Sequence, residues 1–241
     1  MKLQHYSPSS LNLFCAAPAM FILEKVLGHR QPVGSPAHRG TAVEAGVTAG
    51  LMEPNKPLPE CIAVAEAKYD QVTALSSDAR RADYRETIGG MVTSALEELR
   101  PYGVPSHTQG KVEWYPEGLS VPILGYYDFH WADHNITTDL KTTEKLPSAV
   151  KIAHARQVSL YVTSNNADPR ASYITPKKRA TYRVDNINEH RAALHQIALR
   201  VEKFLSLSDD PQFFTDIIAP DFESFYWGGP ARQIGFEVWK F

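Results

Sequence analysis

Cysteine is scarce in this chain, because only Cys15 and Cys61 occur among 241 residues. Two thiols can form at most one disulfide bond, and they cannot supply a four-thiolate cluster. Any bound metal must therefore rely on oxygen or imidazole ligands. The sequence predicts a protein without an iron–sulfur cluster.

Long hydrophobic runs are also missing. The longest, residues 15–23, has nine residues and is broken by Pro18, whereas a membrane-spanning helix needs roughly 20. Residues 1–14 contain no apolar core of a signal peptide. Neither sign of charge dominates, with 25 basic and 27 acidic residues, and glycine and proline form no repeat. We expect a soluble, cytoplasmic, globular protein without a membrane partner.

Hydrophobic spacing indicates a helical first part and a mixed second part of one domain, residues 1–241. Helical spacing, capped at Ser9 and Ser10, occurs in residues 9–23, 40–51, 60–76, 85–100, 147–164 and 188–207. Strand-like stretches are residues 111–115, 121–129, 136–141, 171–174 and 180–184, with a loop at 165–170. This order predicts an α/β protein with a mainly helical part (1–104), an α-β-β-β-α-β core (105–207) and a C-terminal packing segment (208–241).

Two carboxylates face each other across a predicted hairpin. If its turn centres on residues 133–134, Asp128 lies opposite Asp139. Like charges on such a pair of positions, roughly 4.5–5.5 Å apart, are destabilising unless something neutralises them. Side chains alternate along a strand, so Asp139 and Lys141 share this face, while Leu140 points away and leaves its carbonyl nearby.

These groups suit metal-assisted hydrolysis of a phosphodiester. Oxygen ligands hold Mg²⁺ or Mn²⁺, the metal polarises a phosphoryl oxygen and acidifies a water, and Lys141 orients the nucleophile or stabilises charge. In the alternative interpretation, Asp128 and Asp139 are solvated charges on an exposed sheet face, and Lys141 is an incidental neighbour.

Four short blocks occur in one order along the chain. They are Ser7-Pro8-Ser9-Ser10-Leu11-Asn12-Leu13-Phe14-Cys15-Ala16-Ala17-Pro18-Ala19-Met20-Phe21, Gly40-Thr41-Ala42-Val43-Glu44, Gly125-Tyr126-Tyr127-Asp128 with Asp139-Leu140-Lys141-Thr142, and Gln157-Val158-Ser159-Leu160-Tyr161. Together they resemble the RecB-like nucleases of the PD-(D/E)XK superfamily. The resemblance implies a restriction-endonuclease-like core, a mixed sheet flanked by helices, with helical N-terminal additions.

The resemblance also implies roles for single residues. Asp128, Asp139 and the Leu140 carbonyl would bind Mg²⁺ or Mn²⁺, and Lys141 would be catalytic.

Gln157 and Tyr161 would face the active site as catalytic residues. Their i, i+4 spacing places them on one helix face. Without the family, the alternative is a polar residue and an aromatic residue packed against the sheet.

Two positions depart from the family pattern. Glu44 stands where the family usually has histidine, and a carboxylate there can ligate the same cation; otherwise Glu44 is an ordinary exposed glutamate of the helix that buries Val43, Val47 and Leu51. Ala17 stands where cluster-bearing relatives have their first cysteine. The iron–sulfur staple is therefore absent, and the terminal segments must pack through apolar residues, Phe14 and Phe21 against Phe225, Tyr226 and Trp227.

Basic residues concentrate in the predicted core. Residues 138–183 hold nine basic and three acidic residues, a net charge of +6, and the remainder is −8. The candidate DNA-binding residues in this region are Lys145, Lys151, Arg156, Lys177, Lys178 and Arg179. The last three could equally form a solvated hairpin tip.

The sequence thus predicts a metal-dependent deoxyribonuclease, an exonuclease of DNA repair, recombination or phage DNA processing. The alternatives are a structure-selective endonuclease or resolvase, a nucleic-acid-binding module with a decayed site, and a scaffold with a structural metal. Because no P-loop occurs, any helicase or recombination motor would be a separate partner protein.

Overall fold

Strands and helices of the core follow one another along the chain in the order that the sequence predicts. A computed structural model describes residues 2–162 and 168–241. Its strands are β1 (His107–Trp114), β2 (Ile123–Trp131), β3 (Ile136–Thr142), β4 (Asp168–Ile174) and β5 (Arg179–Arg183), which lie side by side in that order. The pair β2–β3 is antiparallel, β3–β4 parallel and β4–β5 antiparallel. The predicted α/β fold with a mixed sheet flanked by helices is confirmed.

The helices precede, interrupt and follow this sheet. They are α1 (Pro8–Ala16), α2 (Pro18–Phe21), α3 (Ser35–Met52), α4 (Leu58–Val72), α5 (Arg81–Glu86), α6 (Ile88–Leu99), α7 (Ile152–Leu160), α8 (Ile187–Leu205), α9 (Pro211–Ile217) and α10 (Pro230–Trp239). A π-helical turn continues α2, and 3₁₀ turns follow α6 and β2. In the part of the chain that the structure describes, no helix has the length and apolar character needed to cross a bilayer.

The chain divides into two compact units. The first comprises Met1–Pro32, Glu113–Gly125 and Asn188–Phe241, and the second comprises Val33–Val112 and Tyr126–Ile187. The candidate site residues all belong to the second unit. The single domain proposed for residues 1–241, with its parts 1–104, 105–207 and 208–241, stays a prediction.

The core of the second unit lies between its helices and the sheet. Val43, Val47 and Leu51 of α3 are buried, as their spacing predicts, in a cluster with residues of α4 and α6. Phe129 and Trp131 of β2 complete that cluster from the sheet side. Full burial of each such side chain contributes about 1.5–3 kcal/mol, which holds α3 firmly beside the strands.

The first unit has its own apolar cluster. Residues Ala19, Met20 and Leu23 pack with Trp227 and Ala231, so Trp227 takes its predicted place between the terminal segments.

Two details of that prediction are wrong. Phe225 is 93% exposed, and Phe14 contacts Phe21 and Phe204 instead. The N-cap of α1 is Ser7 rather than Ser9 or Ser10, because Ser7 and Ser10 form a reciprocal capping box.

Several predicted boundaries move because tertiary contacts outweigh local spacing. Helix α7 begins at Ile152 rather than at Pro147, since the Tyr182 hydroxyl donates to the Pro147 carbonyl at 2.7 Å and the Lys151 N–H donates to the Tyr173 hydroxyl at 3.1 Å.

Elsewhere the loop expected at 165–170 ends earlier. Residues 168–170 are strand, because they pair in parallel with Ile136–Thr138. The predicted helix end at Ser164 and the remaining loop positions, 165–167, lie outside the described residues. The helix expected over 85–100 is divided at Thr87 between α5 and α6.

Candidate active site

Antiparallel pairing of β2 with β3 brings two acidic positions together. Phe129 pairs with Thr138, which confirms the predicted register. The next positions outward are Asp128 and Asp139. The backbone N–H of Leu140 donates to Oδ2 of Asp128 at 2.6 Å, so this carboxylate lies directly against β3.

Strand alternation separates the apolar and polar side chains of β3. Leu140 packs against the helical core cluster. Its neighbours Asp139 and Lys141 lie on the opposite face and contact residues of α7. The sequence-based assignment of the two faces is confirmed.

Asp139 is the most deeply placed charge of the site, with 2% exposure. Its Oδ2 forms an ion pair with the Lys141 ammonium group. Its Oδ1 accepts hydrogen bonds from the Tyr161 hydroxyl at 3.0 Å and from Gln157 Nε2 at 3.2 Å. Burying a carboxylate is costly unless charged and hydrogen-bonded partners satisfy it. Tyr161 and Gln157 satisfy Oδ1, whereas Oδ2 has the charge of Lys141 but no hydrogen bond from the described residues.

Helix α7 and the turn that ends it supply the second side of the site. Gln157 Oε1 accepts from Lys141 Nζ at 3.0 Å, while Gln157 Nε2 also donates to the Tyr161 hydroxyl at 2.8 Å. The amide thus ties the ammonium group to the hydroxyl. Tyr161 is fully buried, so its hydroxyl is held in one position. The i, i+4 pair predicted from sequence meets Asp139 and Lys141.

Glu44 approaches the site from α3 through a residue that the sequence did not single out. Nε2 of Gln109, on β1, donates to Oε1 of Glu44 in a very short contact. The same nitrogen donates to Oδ1 of Asp128 at 3.2 Å. One amide group therefore bridges the two carboxylates.

The backbone of β1 is unusual at this bridge. Gln109 has φ +52°, a left-handed conformation that a residue with a long side chain rarely adopts. The next residue must be glycine, because a Cβ at Gly110 would lie 1.9 Å from the ring of Tyr127. No spacing rule predicts a left-handed residue inside a strand, so residue type and periodicity do not point to Gln109.

Burial, together with mutual repulsion, determines the electrostatics of the acidic group. Burial, followed by the charges of Asp139 and Glu44, raises the pKa of Asp128 well above its usual range. Burial also raises the pKa of Glu44, although its bond to Gln109 opposes the shift. Burial would lower the pKa of Lys141, but the neighbouring Asp139 carboxylate outweighs burial and the pKa is raised. The ammonium form of Lys141 is therefore favoured.

The donors fit a hard divalent cation in their chemistry. Glu44, Asp128 and Asp139 offer carboxylate oxygens, the ligands that Mg²⁺ and Mn²⁺ prefer, and a bound cation would offset both the burial of Asp128 and the neighbouring charges of Asp139 and Glu44 that raise its pKa. Across residues 2–162 and 168–241, however, no three His, Cys, Asp or Glu side chains are already arranged as a metal-ligand set. The Gln109 amide lies between two of the donors.

His154 is a second neighbour of the site that the sequence did not single out. Its Nδ1 lies 2.7 Å from the Tyr173 hydroxyl, and Tyr173 pairs with Lys141 across β3 and β4. Burial, followed by the charge of Lys141, lowers the pKa of His154 to about 4. The spacing of His154 three residues before Gln157 could have placed it on the same face of α7.

The candidate DNA-binding residues fall into distinct settings. Lys145, Lys177 and Lys178 line one cavity of about 430 Å³. Arg179 instead forms ion pairs with Glu97 and Glu98, at 2.5 and 3.3 Å.

The other two basic residues belong to the α7 region. Lys151 is exposed at the N-cap of α7, and Arg156 is half-buried within that helix. Three lysines at one cavity thus form the clearest basic surface of this set.

Fold and side-chain arrangement define a class of protein: an α/β chain whose mixed sheet presents an Asp-x-Lys strand, a facing aspartate and a covering helix. The sequence profile of the PD-(D/E)XK nuclease superfamily matches residues 5–220. The chain belongs to that superfamily, whose members are generally phosphodiesterases.

Other comparisons are weaker. The solved structure titled "Crystal structure of SSO0001" aligns at 18% sequence identity over 86% of this chain and 95% of that chain, with a TM-score of 0.38. That TM-score is too low to establish a shared fold. Comparison with curated proteins gives no match.

Proposed function

We propose that this chain is a metal-dependent deoxyribonuclease that hydrolyses DNA phosphodiester bonds. One observation carries the proposal. Asp139 and Lys141 form an ion pair on the sheet face that Asp128 shares, and the pair is hydrogen-bonded to Gln157 and Tyr161. A facing pair of aspartates, a lysine and two hydrogen-bonding side chains on one sheet face form a combination suited to metal-assisted hydrolysis of a phosphodiester.

In this proposal Asp128, Asp139, the Leu140 carbonyl and Glu44 hold Mg²⁺ or Mn²⁺. When bound, the cation supplies Lewis-acid polarisation of the phosphoryl oxygen and a more acidic water. The Lys141 ammonium donates a hydrogen bond to the attacking water or to the phosphoryl oxygen that gains negative charge.

Residues of the α7 region act as positioning residues. Gln157 fixes the Lys141 amine through its carbonyl oxygen, and Tyr161 fixes Asp139 through its hydroxyl. Such fixed geometry lowers the cost of reaching the reactive arrangement.

DNA is the proposed substrate, and exonuclease action in repair, recombination or phage DNA processing is the proposed role. The RecB-like order of the four sequence blocks supports it. The lysine cavity of Lys145, Lys177 and Lys178 would bind backbone phosphates. Lys151 and Arg156 would add positive charge along the helix that carries Gln157. We propose further that no iron–sulfur cluster is present and that any helicase motor is a partner.

A second candidate, a DNA-binding module with a decayed site, is favoured by one observation. The Gln109 amide, rather than a gap, separates Glu44 from Asp128. This candidate predicts DNA binding without turnover.

The test is incubation with linear and circular DNA, single- and double-stranded, in Mg²⁺, Mn²⁺ or chelator. We expect metal-dependent loss of linear DNA from its ends, absent with Lys141→Ala. Cleavage of circles would indicate an endonuclease or resolvase. Binding without cleavage in either metal would support the decayed site. Cleavage that persists in chelator would contradict the metal requirement.

A further inference from the structure

The Gln109 amide occupies the place where two metal-ligand candidates converge. Its nitrogen contacts Oε1 of Glu44 and lies 3.2 Å from Oδ1 of Asp128. An amide nitrogen carries two donors, so each proton can serve one carboxylate. A cation that binds both oxygens would need the same space and would satisfy the same lone pairs.

The backbone conformation of Gln109, and not its side-chain rotamer alone, places the amide between the two carboxylates. Gln109 has φ +52°, and Gly110 allows the chain to pass against the Tyr127 ring. A left-handed glutamine carries a conformational cost that an ordinary strand residue avoids. The fold maintains this cost at a strand position whose side chain reaches both carboxylates.

We propose, building on the metal-dependent function above, that Gln109 is a positioning residue that substitutes for the cation in the metal-free site. Its amide holds Glu44 and Asp128 together against their repulsion, and it must be displaced before both carboxylates bind Mg²⁺ or Mn²⁺. Gln109 therefore sets the cation concentration at which the site fills.

The proposal fixes the direction of an experimental effect. Removing the amide removes the competitor, so the cation should bind more tightly. A purely structural glutamine would instead weaken cation binding when lost, because the two carboxylates would become less ordered. Two variants separate the effect of backbone strain from the effect of competition between the amide and the cation. Gln109→Ala removes the amide but leaves a non-glycine residue in the left-handed conformation, whereas Gln109→Gly removes the amide and the strain.

Mn²⁺ binding to the full chain, followed by the loss of the free-ion electron paramagnetic resonance signal, tests this without any turnover. We expect the dissociation constant to fall about three- to tenfold in Gln109→Gly and in Gln109→Ala. The glycine variant keeps the test valid if the alanine variant folds poorly. Gln31→Ala, which removes an amide that donates to the His29 carbonyl within its own loop, is the matched control and should leave binding unchanged.

Coupling to the acidic pair provides the second measurement. In a Glu44→Gln background, substituting Gln109 should change Mn²⁺ affinity less than twofold, because one of the two bridged oxygens is no longer anionic. Asp128→Asn, with Gln109 intact, should lose binding and so locate the signal at this site.

The outcomes separate this inference from the function on which it rests. Mn²⁺ binding by wild type with unchanged or weaker binding by both Gln109 variants overturns the inference and leaves the nuclease proposal standing. No binding by wild type or by the variants overturns both. Binding that appears only in the Gln109 variants supports the inference and indicates that the amide blocks the wild-type site.

Discussion

The hydroxyl of Tyr161 donates to Oδ1 of Asp139 over 3.0 Å, from a side chain with no solvent exposure. Tyr161→Phe removes only that hydroxyl. We expect about 1–2 kcal/mol lower stability and roughly tenfold slower cleavage, because Asp139 loses a fixed partner. Tyr69→Phe is the matched control, since that buried hydroxyl donates to the Arg81 carbonyl at 3.1 Å, outside the site. Equal cleavage by both variants would contradict a positioning role for Tyr161.

Lys141→Ala and Asp139→Ala should each reduce cleavage at least about 100-fold while circular dichroism shows a folded chain. Asp139 has three partners, so its loss should also reduce stability by about 1–3 kcal/mol. Asp139→Asn preserves the shape of the side chain and serves as the second variant. Lys56→Ala removes a half-buried lysine that forms an ion pair with Glu53, outside the candidate site, and should leave cleavage unchanged. Near-wild-type cleavage by Lys141→Ala would refute the assignment.

Asp128→Asn should stabilise the metal-free protein. The pKa of this carboxyl is raised by burial and by Asp139 and Glu44, so keeping it ionised at neutral pH costs about 1.4 kcal/mol for each unit of pKa. We expect Tm in chelator to rise by roughly 2–4 °C, and the added stabilisation by Mn²⁺ to disappear. A lower Tm in chelator would show that the hydrogen bond to Leu140 outweighs the repulsion.

Glu44→Gln should raise the Mn²⁺ concentration needed for half-maximal cleavage, since one anionic ligand is lost while the size of the side chain is kept. Glu44→His, which introduces the residue usual in the family, should retain activity with Mn²⁺. Glu53→Gln, at the end of the same helix, controls for the change in net charge. The same metal dependence in wild type and Glu44→Gln would make Glu44 a bystander.

His154 should make stability depend on pH. Burial and Lys141 lower its folded-state pKa from 6.5 to about 4, so the unfolded chain binds the proton more tightly. Its contribution is complete above pH 6.5 and is lost as the pH falls towards 4. The upper limit is about 3–4 kcal/mol, and solvent screening of this half-buried ring makes the actual contribution smaller.

The test compares wild type with His154→Gln by urea unfolding across that range. Glutamine can still bond the Tyr173 hydroxyl. The neighbouring charges, Lys141, Lys151 and Asp139, are present in both proteins, so the difference between the two pH slopes reports His154 alone. Parallel slopes would show that His154 does not titrate in this way.

Hairpin register and helix periodicity were sufficient to predict which site residues lie side by side. The hairpin register follows from the turn at residues 133–134, where Asn135 takes a left-handed conformation, and i, i+4 spacing is enough to place Gln157 and Tyr161 together. Gln109 could not be found in this way. It contacts a residue 65 positions away, and its role depends on backbone geometry that residue type and periodicity do not encode.

The first residue of α7 also could not be predicted from local sequence. Pro147 and Ser148 are typical of a helix start, yet the segment before Ile152 is not helical, and Tyr182 and Tyr173, both on later strands, form hydrogen bonds with its backbone. Local propensity indicates where a helix can begin, but long-range hydrogen bonds determine where this helix does begin.

The parallel pairing of β3 with β4 has a consequence for how the chain acquires activity. Ile136 pairs with Asp168, and parallel neighbours can meet only after the intervening crossover has closed. Contacts of such long sequence separation form slowly. During synthesis, the hairpin that carries Asp128 and Lys141 is complete before Gln157 and Tyr161 have been added. An incomplete chain therefore holds the acidic hairpin without its hydrolytic environment, and hydrolytic competence should appear only when α7 and β4 dock.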